Sequence, residues 1–243
     1  MKRYFAGLTD TGVVRSVNQD DYYMDEPEGR FFIVADGMGG HAGGQEASRI
    51  AVQTIKNYLE SQWNSDMSSA EILNQAFRLA NETIVQEQQR HPALNDMGTT
   101  AVAVIFRDDQ PWCAHVGDSR LYRYRSRESK LLQITEDHTW VARAIQVGYI
   151  TPEQGRSHPM RHVLERCIGR PDLTEVTVNS FDVQAGDRLL LCSDGLTEEL
   201  SDAAIAHQLK SMRAMELSAA TFVEAAKEKG GRDNITVVII TIS

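Results

Sequence analysis

Two kinds of hydrophobic pattern succeed one another along this 243-residue chain. Short apolar runs rich in β-branched and aromatic residues predict strands at 30–35, 100–106, 112–116, 121–124, 188–192 and 235–242. Some of these, such as Phe31-Phe32-Ile33-Val34, carry no polar face, which predicts strands covered on both sides. Longer stretches repeat at three- and four-residue steps instead. Ala47, Ile50, Ala51, Ile55, Tyr58 and Leu59 form one helical stripe, and Ile72, Leu73, Ala76, Phe77, Ala80 and Ile84 form a second. A further helical pair is predicted at 202–209 and 215–227. Helices and strands do not alternate one for one, which argues against a doubly wound parallel sheet. The order predicts an α+β layered sandwich whose sheets are covered by helix pairs.

Charge narrows the function. The net charge of -9 excludes broad attraction to nucleic acid or anionic lipid. Any phosphate must therefore be held by local cations, either a few arginines or bound metal. Cys113, Cys167 and Cys192 are odd in number and form no CxxC pair, which fits reduced thiols in a cytoplasmic protein. No apolar run is long enough for a signal peptide or a membrane span. No linker, repeat or low-complexity run divides the chain, so one domain over residues 1–243 is expected.

The chemistry lies in aspartates at strand ends beside glycine. Asp36-Gly37 and Asp194-Gly195 each close an apolar run. Asp118 lies between two predicted strands, and Asp233 precedes the last one. Each alone reads as an ordinary turn, because Gly accepts positive φ and Asp bonds its own backbone. Asp233-Asn234 fits a simple helix-to-strand turn, and Asp118 could merely pair with Arg120. Together they suggest more. Converging carboxylates repel, and divalent cations that favour oxygen ligands, Mg²⁺ or Mn²⁺, relieve that repulsion.

These residues also occur in a familiar order. Arg15-x-x-Asn18-Gln19-Asp20, Asp36-Gly37-Met38-Gly39-Gly40-His41, Met97-Gly98-Thr99-Thr100 and Gly117-Asp118-Ser119-Arg120 are followed by Asp137-His138, Ser193-Asp194-Gly195 and Gly231-Arg232-Asp233-Asn234. The ordered set resembles the protein phosphatase 2C family of metal-dependent serine/threonine phosphatases, in its compact bacterial branch. The resemblance implies an α-β-β-α sandwich of two mainly antiparallel sheets flanked by helix pairs. It implies two core Mg²⁺ or Mn²⁺ ions and a third. Asp36 would bridge the core pair, with the Gly37 carbonyl on the second ion and Asp194 and Asp233 completing the first. Asp118, with Asp194, would hold the third ion, and Asp20 would bind a water beside the metals. Arg15 would grip the substrate phosphate, and His41 would protonate the leaving oxygen. A histidine capping the helix that follows is the plainer reading of His41. The expected partner is a phosphorylated protein, with the P-II nitrogen-signalling protein as one candidate. A monomer is expected.

Other readings fit less well. Gly37-x-Gly39-x-x-Ala42 mimics a dinucleotide fingerprint, but Asp36 would repel a pyrophosphate. No cysteine stands five residues before an arginine, as a thiol phosphatase needs, and Leu191 replaces the first glycine of a serine-hydrolase elbow. A catalytically weak homologue that only binds phosphoproteins is the alternative to an enzyme, and the presence of all four aspartates disfavours it. Residues 139–170 differ from the rest in concentrating Arg143, Arg156, His158, Arg161, His162, Arg166 and Arg170. They predict a partly helical excursion with Gly148 and Gly155 as hinges, and the resemblance makes it a flap beside the site. A solvated helical face is the plainer reading.

Overall fold

The computed structural model describes residues 1–107, 110–212 and 215–243, with the backbone alone at 41 and 215–217. In chain order the strands are β1 (Arg3–Asp10), β2 (Asp20–Met24), β3 (Phe31–Met38), β4 (Gly98–Thr99), β5 (Ala101–Arg107), β6 (Gln110–Val116), β7 (Arg120–Arg125), β8 (Lys130–Gln133), β9 (Thr177–Ser180), β10 (Asp187–Cys192) and β11 (Ile235–Ile242). The helices are α1 (Gly40–Gln62), α2 (Ser69–Arg90), α3 (Trp140–Gln146), α4 (Pro152–Arg156), α5 (Asp194–Thr197), α6 (Asp202–Ser211) and α7 (Met215–Lys229).

Among the described residues the strands form two antiparallel sheets. One runs β1-β11-β10-β7-β8, and the other β2-β3-β5-β6-β9 with β4 paired to the end of β3. The two-residue side-chain period explains the layering. Phe31, Ile33 and Ala35 of β3 pack under the α1–α2 pair, against Ile55, Leu73 and Phe77. The alternate residues Phe32 and Val34 face the other sheet and meet Leu189, Leu191, Val238 and Ile240. On the far side Cys192, Val237 and Ile239 pack under α6 and α7 through Ile205, Leu209 and Phe222. Three apolar layers therefore hold the predicted α-β-β-α sandwich, and each large side chain buried adds about 1.5–3 kcal/mol.

Helix ends follow local rules. Ser68 and Glu71 form a reciprocal capping box at the start of α2. The cap of α1 is Gly39, at φ 111°, without a side-chain hydrogen bond. His41 therefore stands inside the first helical turn and not at the cap. Its side chain lies outside the described residues, so its role as an acid stays an expectation.

The excursion contains α3 and α4, as its pattern predicts. Its base is stitched to the body: Trp140 N donates to Val163 O, and Thr99 and Ile168 exchange backbone hydrogen bonds. Of the two predicted hinges only Gly148 adopts positive φ, at 75°. Gly155 is buried within α4, where a Cβ would sit 2.8 Å from Ile145 and 2.9 Å from Val141. Gly155 is glycine for packing, not for hinging.

Candidate active site

The alternation that builds the core also delivers the carboxylates. Asp36 continues the inward face of β3 begun by Phe32 and Val34, and it emerges where the two sheets part. Asp20 stands directly opposite it across the β2–β3 ladder. Asp194 opens α5 after β10, Asp118 follows β6, and Asp233 immediately precedes β11. Asp36, Asp118, Asp194 and Asp233 line one cleft of about 1270 Å³, together with Arg15, Gly37, Arg161, His162 and Glu198.

Turn chemistry does not explain the two Asp-Gly pairs. Gly37 and Gly195 are not among the positive-φ glycines, and β3 runs on to Met38 instead of turning at Gly37. What both positions require is the absence of a side chain. A Cβ on Gly37 would lie 1.9 Å from Gly44 O, and one on Gly195 would lie 2.0 Å from Asn234 O. Close backbone approach is what packs each carboxylate-bearing strand end against its neighbour.

Polar side chains then fix the strand ends. Asn234 accepts from Gln19 N at 2.8 Å and donates to Thr11 O and Val17 O, tying the loop after β1 to the start of β11. This is more than a plain turn. Thr100 Oγ1 contacts Ser119 Oγ at 2.7 Å and accepts from Asp36 N at 3.2 Å, so it links the Asp36 and Asp118 backbones. Arg120 does not occupy Asp118. Its guanidinium forks onto Asp137 at 2.9 and 2.6 Å, leaving Asp118 to the cleft. Ser193 Oγ donates to Asp20 Oδ2 at 2.7 Å, while the buried Asp20 Oδ1 has no hydrogen-bond partner among the described residues.

The electrostatics are those of crowded anions. Asp36 is pushed well above the usual carboxylate range by burial, then by Asp20, Asp194, Asp118 and Asp233. Burial and Asp194 raise Asp118 in the same way. Asp194 is raised by burial and Asp233, and Asp20 reaches about 7, mainly through burial. Glu198 also reaches about 7 by burial and the nearby Asp194. Arg15 Nη2 donates to Asp233 Oδ2 at 2.7 Å, so it sits on a carboxylate at the edge of the cleft.

An oxygen-rich donor set of this kind suits a hard divalent cation. The partnerless Asp20 oxygen and the mutual repulsion of the four cleft aspartates both call for positive charge, so these residues fit Mg²⁺ or Mn²⁺. All the predicted residues whose side chains are described come together: Arg15, Asp36, Asp118, Asp194 and Asp233 line the cleft, and Asp20 pairs beside it. Sequence reasoning missed Glu198, four residues after Asp194 at the end of α5. It also gave His162 no partner, whereas His162 Nδ1 lies 2.5 Å from Glu198 Oε1. No periodicity or motif marks that pair, because it joins the 139–170 excursion to the end of α5 across the cleft. The thiols are as expected: all three are free and buried, and burial pushes Cys192 up to about 12.

Comparison with known proteins agrees with this geometry. The chain is similar to the serine/threonine protein phosphatase PstP of Mycobacterium tuberculosis, at 37% identity over 98% of this chain and 45% of that protein. The chain thus spans less than half of PstP's length. It is also similar to the serine/threonine phosphatase stp of Listeria innocua, at 36% identity over 96% of this chain and 93% of the relative. The crystal structure of the Mycobacterium tuberculosis phosphatase superposes with TM-score 0.90 at 36% identity, covering 99% of both chains. A PstP catalytic domain in complex with two manganese ions superposes with TM-score 0.87 at 33% identity, covering 99% of both chains. The protein phosphatase 2C model matches residues 13–230. Sheet order, carboxylate cleft and similarity to these phosphatases over nearly all of this chain converge, and the chain belongs to the protein phosphatase 2C family.

Proposed function

We propose that this chain is a metal-dependent phosphatase that hydrolyses phosphoserine and phosphothreonine on proteins. The observation that carries this reading is the convergence of Asp36, Asp118, Asp194 and Asp233, from separate strand ends, on one cleft edged by Arg15. Asp36, the Gly37 carbonyl, Asp194 and Asp233 would hold two Mg²⁺ or Mn²⁺ ions, and Asp118 with Asp194 a third. Such ions supply a water of lowered pKa and neutralise charge on phosphoryl oxygens. The two manganese ions of the similar PstP domain support the core pair.

The chain's own residues do the rest. Arg15 swings from Asp233 to grip two phosphate oxygens with its planar fork. Water gives one proton to solvent as its oxygen bonds to phosphorus, the bond to the seryl or threonyl oxygen breaks, and His41 gives that oxygen its proton and regains one from solvent, leaving the free hydroxyl and hydrogen phosphate. Asp20 accepts from Ser193 with one oxygen and keeps the other for a water. The flap, carrying Arg161 and His162 along the cleft wall, contacts the protein around the phosphate. A phosphorylated P-II protein is one candidate substrate, a proposal that rests on the sequence resemblance alone. A cytoplasmic monomer is the matching proposal. All three thiols are free and buried, and no described helix is long and apolar enough to cross a membrane.

The test is hydrolysis of para-nitrophenyl phosphate and of a phosphothreonine peptide with Mn²⁺, Mg²⁺ or excess chelator. Turnover of both should require the cation. Turnover that persists in chelator would overturn the mechanism.

A further inference from the structure

The carboxylate assigned to the third ion sits on an unprotected kind of turn. Asp118 and Ser119 join β6 to β7 after Gly117, which adopts φ 103°. Burial and the neighbouring Asp194 and Asp137 work against the charge of Asp118. Something must hold the turn in place, and two consecutive residues do. His138 N donates to Gly117 O at 3.0 Å, and Gly117 N donates to His138 Nδ1 at 3.1 Å. Both backbone polar groups of Gly117 therefore depend on one residue. Because Nδ1 accepts, the neutral ring carries its proton on Nε2, which lies 3.1 Å from Thr177 Oγ1. The ring stacks on His115 with centroids 4.6 Å apart. Asp137, the residue before His138, receives the fork of Arg120, two residues after Asp118.

The same residue is the root of the flap. Thr139, next in the chain, caps α3 through its side chain. His138 O accepts from Glu165 N at 2.8 Å, closing the flap's two ends together. We propose that Asp137 and His138 form a positioning clasp that sets the Asp118 carboxylate for the third cation and couples it to the base of the flap. This rests on the three-ion reading given above. Loss of the Gly117 bond leaves a buried N–H unpaired in a turn already opposed by like charge, so the turn moves and the third ion weakens.

Two substitutions separate the ring's nitrogens. Asn Oδ1 occupies the place of His Nδ1, so His138→Asn keeps the bond to Gly117. His138→Gln reaches Thr177 and loses Gly117. Mn²⁺ binding to the whole chain is read by calorimetry and equilibrium dialysis, after thermal melts confirm folding. Three ions are expected for wild type and His138→Asn. In His138→Gln the weakest site should lose roughly 10- to 100-fold in affinity, the range usual for groups that orient metal ligands, with the other two unchanged. Limited trypsin digestion at Arg156 and Arg161 should be slowed by Mn²⁺ in wild type and no longer in His138→Gln. If His138→Gln does not fold, His138→Ala, which likewise leaves Gly117 N without its acceptor but adds no longer side chain, should weaken the same site. A wild type that binds two ions overturns the three-ion reading and the clasp with it. A wild type that binds three, beside a His138→Gln or His138→Ala variant of unchanged affinity and unchanged Mn²⁺ protection, overturns the clasp alone.

Discussion

Removing the divalent cations should reverse the usual response of stability to pH. The folded chain holds Asp20 at about 7 against an ordinary 3.8, through burial first. A carboxyl raised in this way binds more protons folded than unfolded, so stability falls as pH rises between the two values and beyond until the folded group has ionised. Asp36 and Asp118 are raised well above the ordinary range and act in the same direction. Buried histidines oppose them at lower pH. His138 is lowered to about 3 and His115 is also lowered, both chiefly by burial, so each stabilises the fold as pH rises toward the unfolded value of 6.5. Above pH 6.5 the carboxylates act with little opposition from that pair. From pH 6.5 to 8 Asp20 alone should remove about 1 kcal/mol, from the difference in protons bound. At this chain length that lowers Tm by roughly 2–4 °C, and Asp36 and Asp118 add to it. Mn²⁺ at a hundred times its Kd should restore about 2.7 kcal/mol and flatten the slope. Scanning calorimetry in chelator and in Mn²⁺ across that window measures both effects. A metal-free Tm that holds level or climbs from pH 6.5 to 8 would refute the view that these aspartates are destabilising until a cation joins them.

Asp36→Ala should nearly abolish turnover, because on the proposed reading it removes the ligand that the core pair would share. Asp118→Ala should keep that pair and still impair catalysis, and a crystal structure of the variant with the core pair missing would contradict the division. His41→Ala should cost roughly 10²–10⁴-fold on a phosphopeptide and far less on para-nitrophenyl phosphate, whose leaving group needs no proton; equal losses would make His41 structural. A shortened flap, shown by circular dichroism to fold, should lower kcat/KM for a folded phosphoprotein while sparing para-nitrophenyl phosphate, and matching losses on the two would leave the flap as scaffold.

What the sequence made legible was whatever one strand or one helix decides by itself. The run 235–242 reads as a buried strand and is β11 residue for residue, because no charge interrupts it and its polar positions, Thr236 and Thr241, are β-branched. The stripes of α1 and α2 read as helices because one face meets the sheet throughout. β1 and β2 did not read as strands. Arg3, Thr9 and Asp10 break the apolar pattern of β1, and Asp20-Asp21-Tyr22-Tyr23 of β2 shows no buried face until β3 is beside it. The strand that supplies Asp20 is therefore defined by its partner and not by its own residues.

The same distinction runs through the site. The aspartates were legible because each stands at a strand end, Asp36, Asp118 and Asp194 next to glycine and Asp233 two residues after one, although the reason first attached to that glycine, a turn, was wrong for Gly37 and Gly195. A turn glycine answers to its own φ, which local sequence can suggest. These two answer to a carbonyl from a distant segment, Gly44 for one and Asn234 for the other, which local sequence cannot suggest. The groups that hold the carboxylates in register follow the second rule. Thr100 reaches Ser119, Ser193 reaches Asp20, Arg120 reaches Asp137, and His162 reaches Glu198. Each contact joins residues at least seventeen positions apart, so no window of periodicity contains both partners. A chain can thus announce its carboxylates locally while the forces that keep them together against their own repulsion are written only in the folded state.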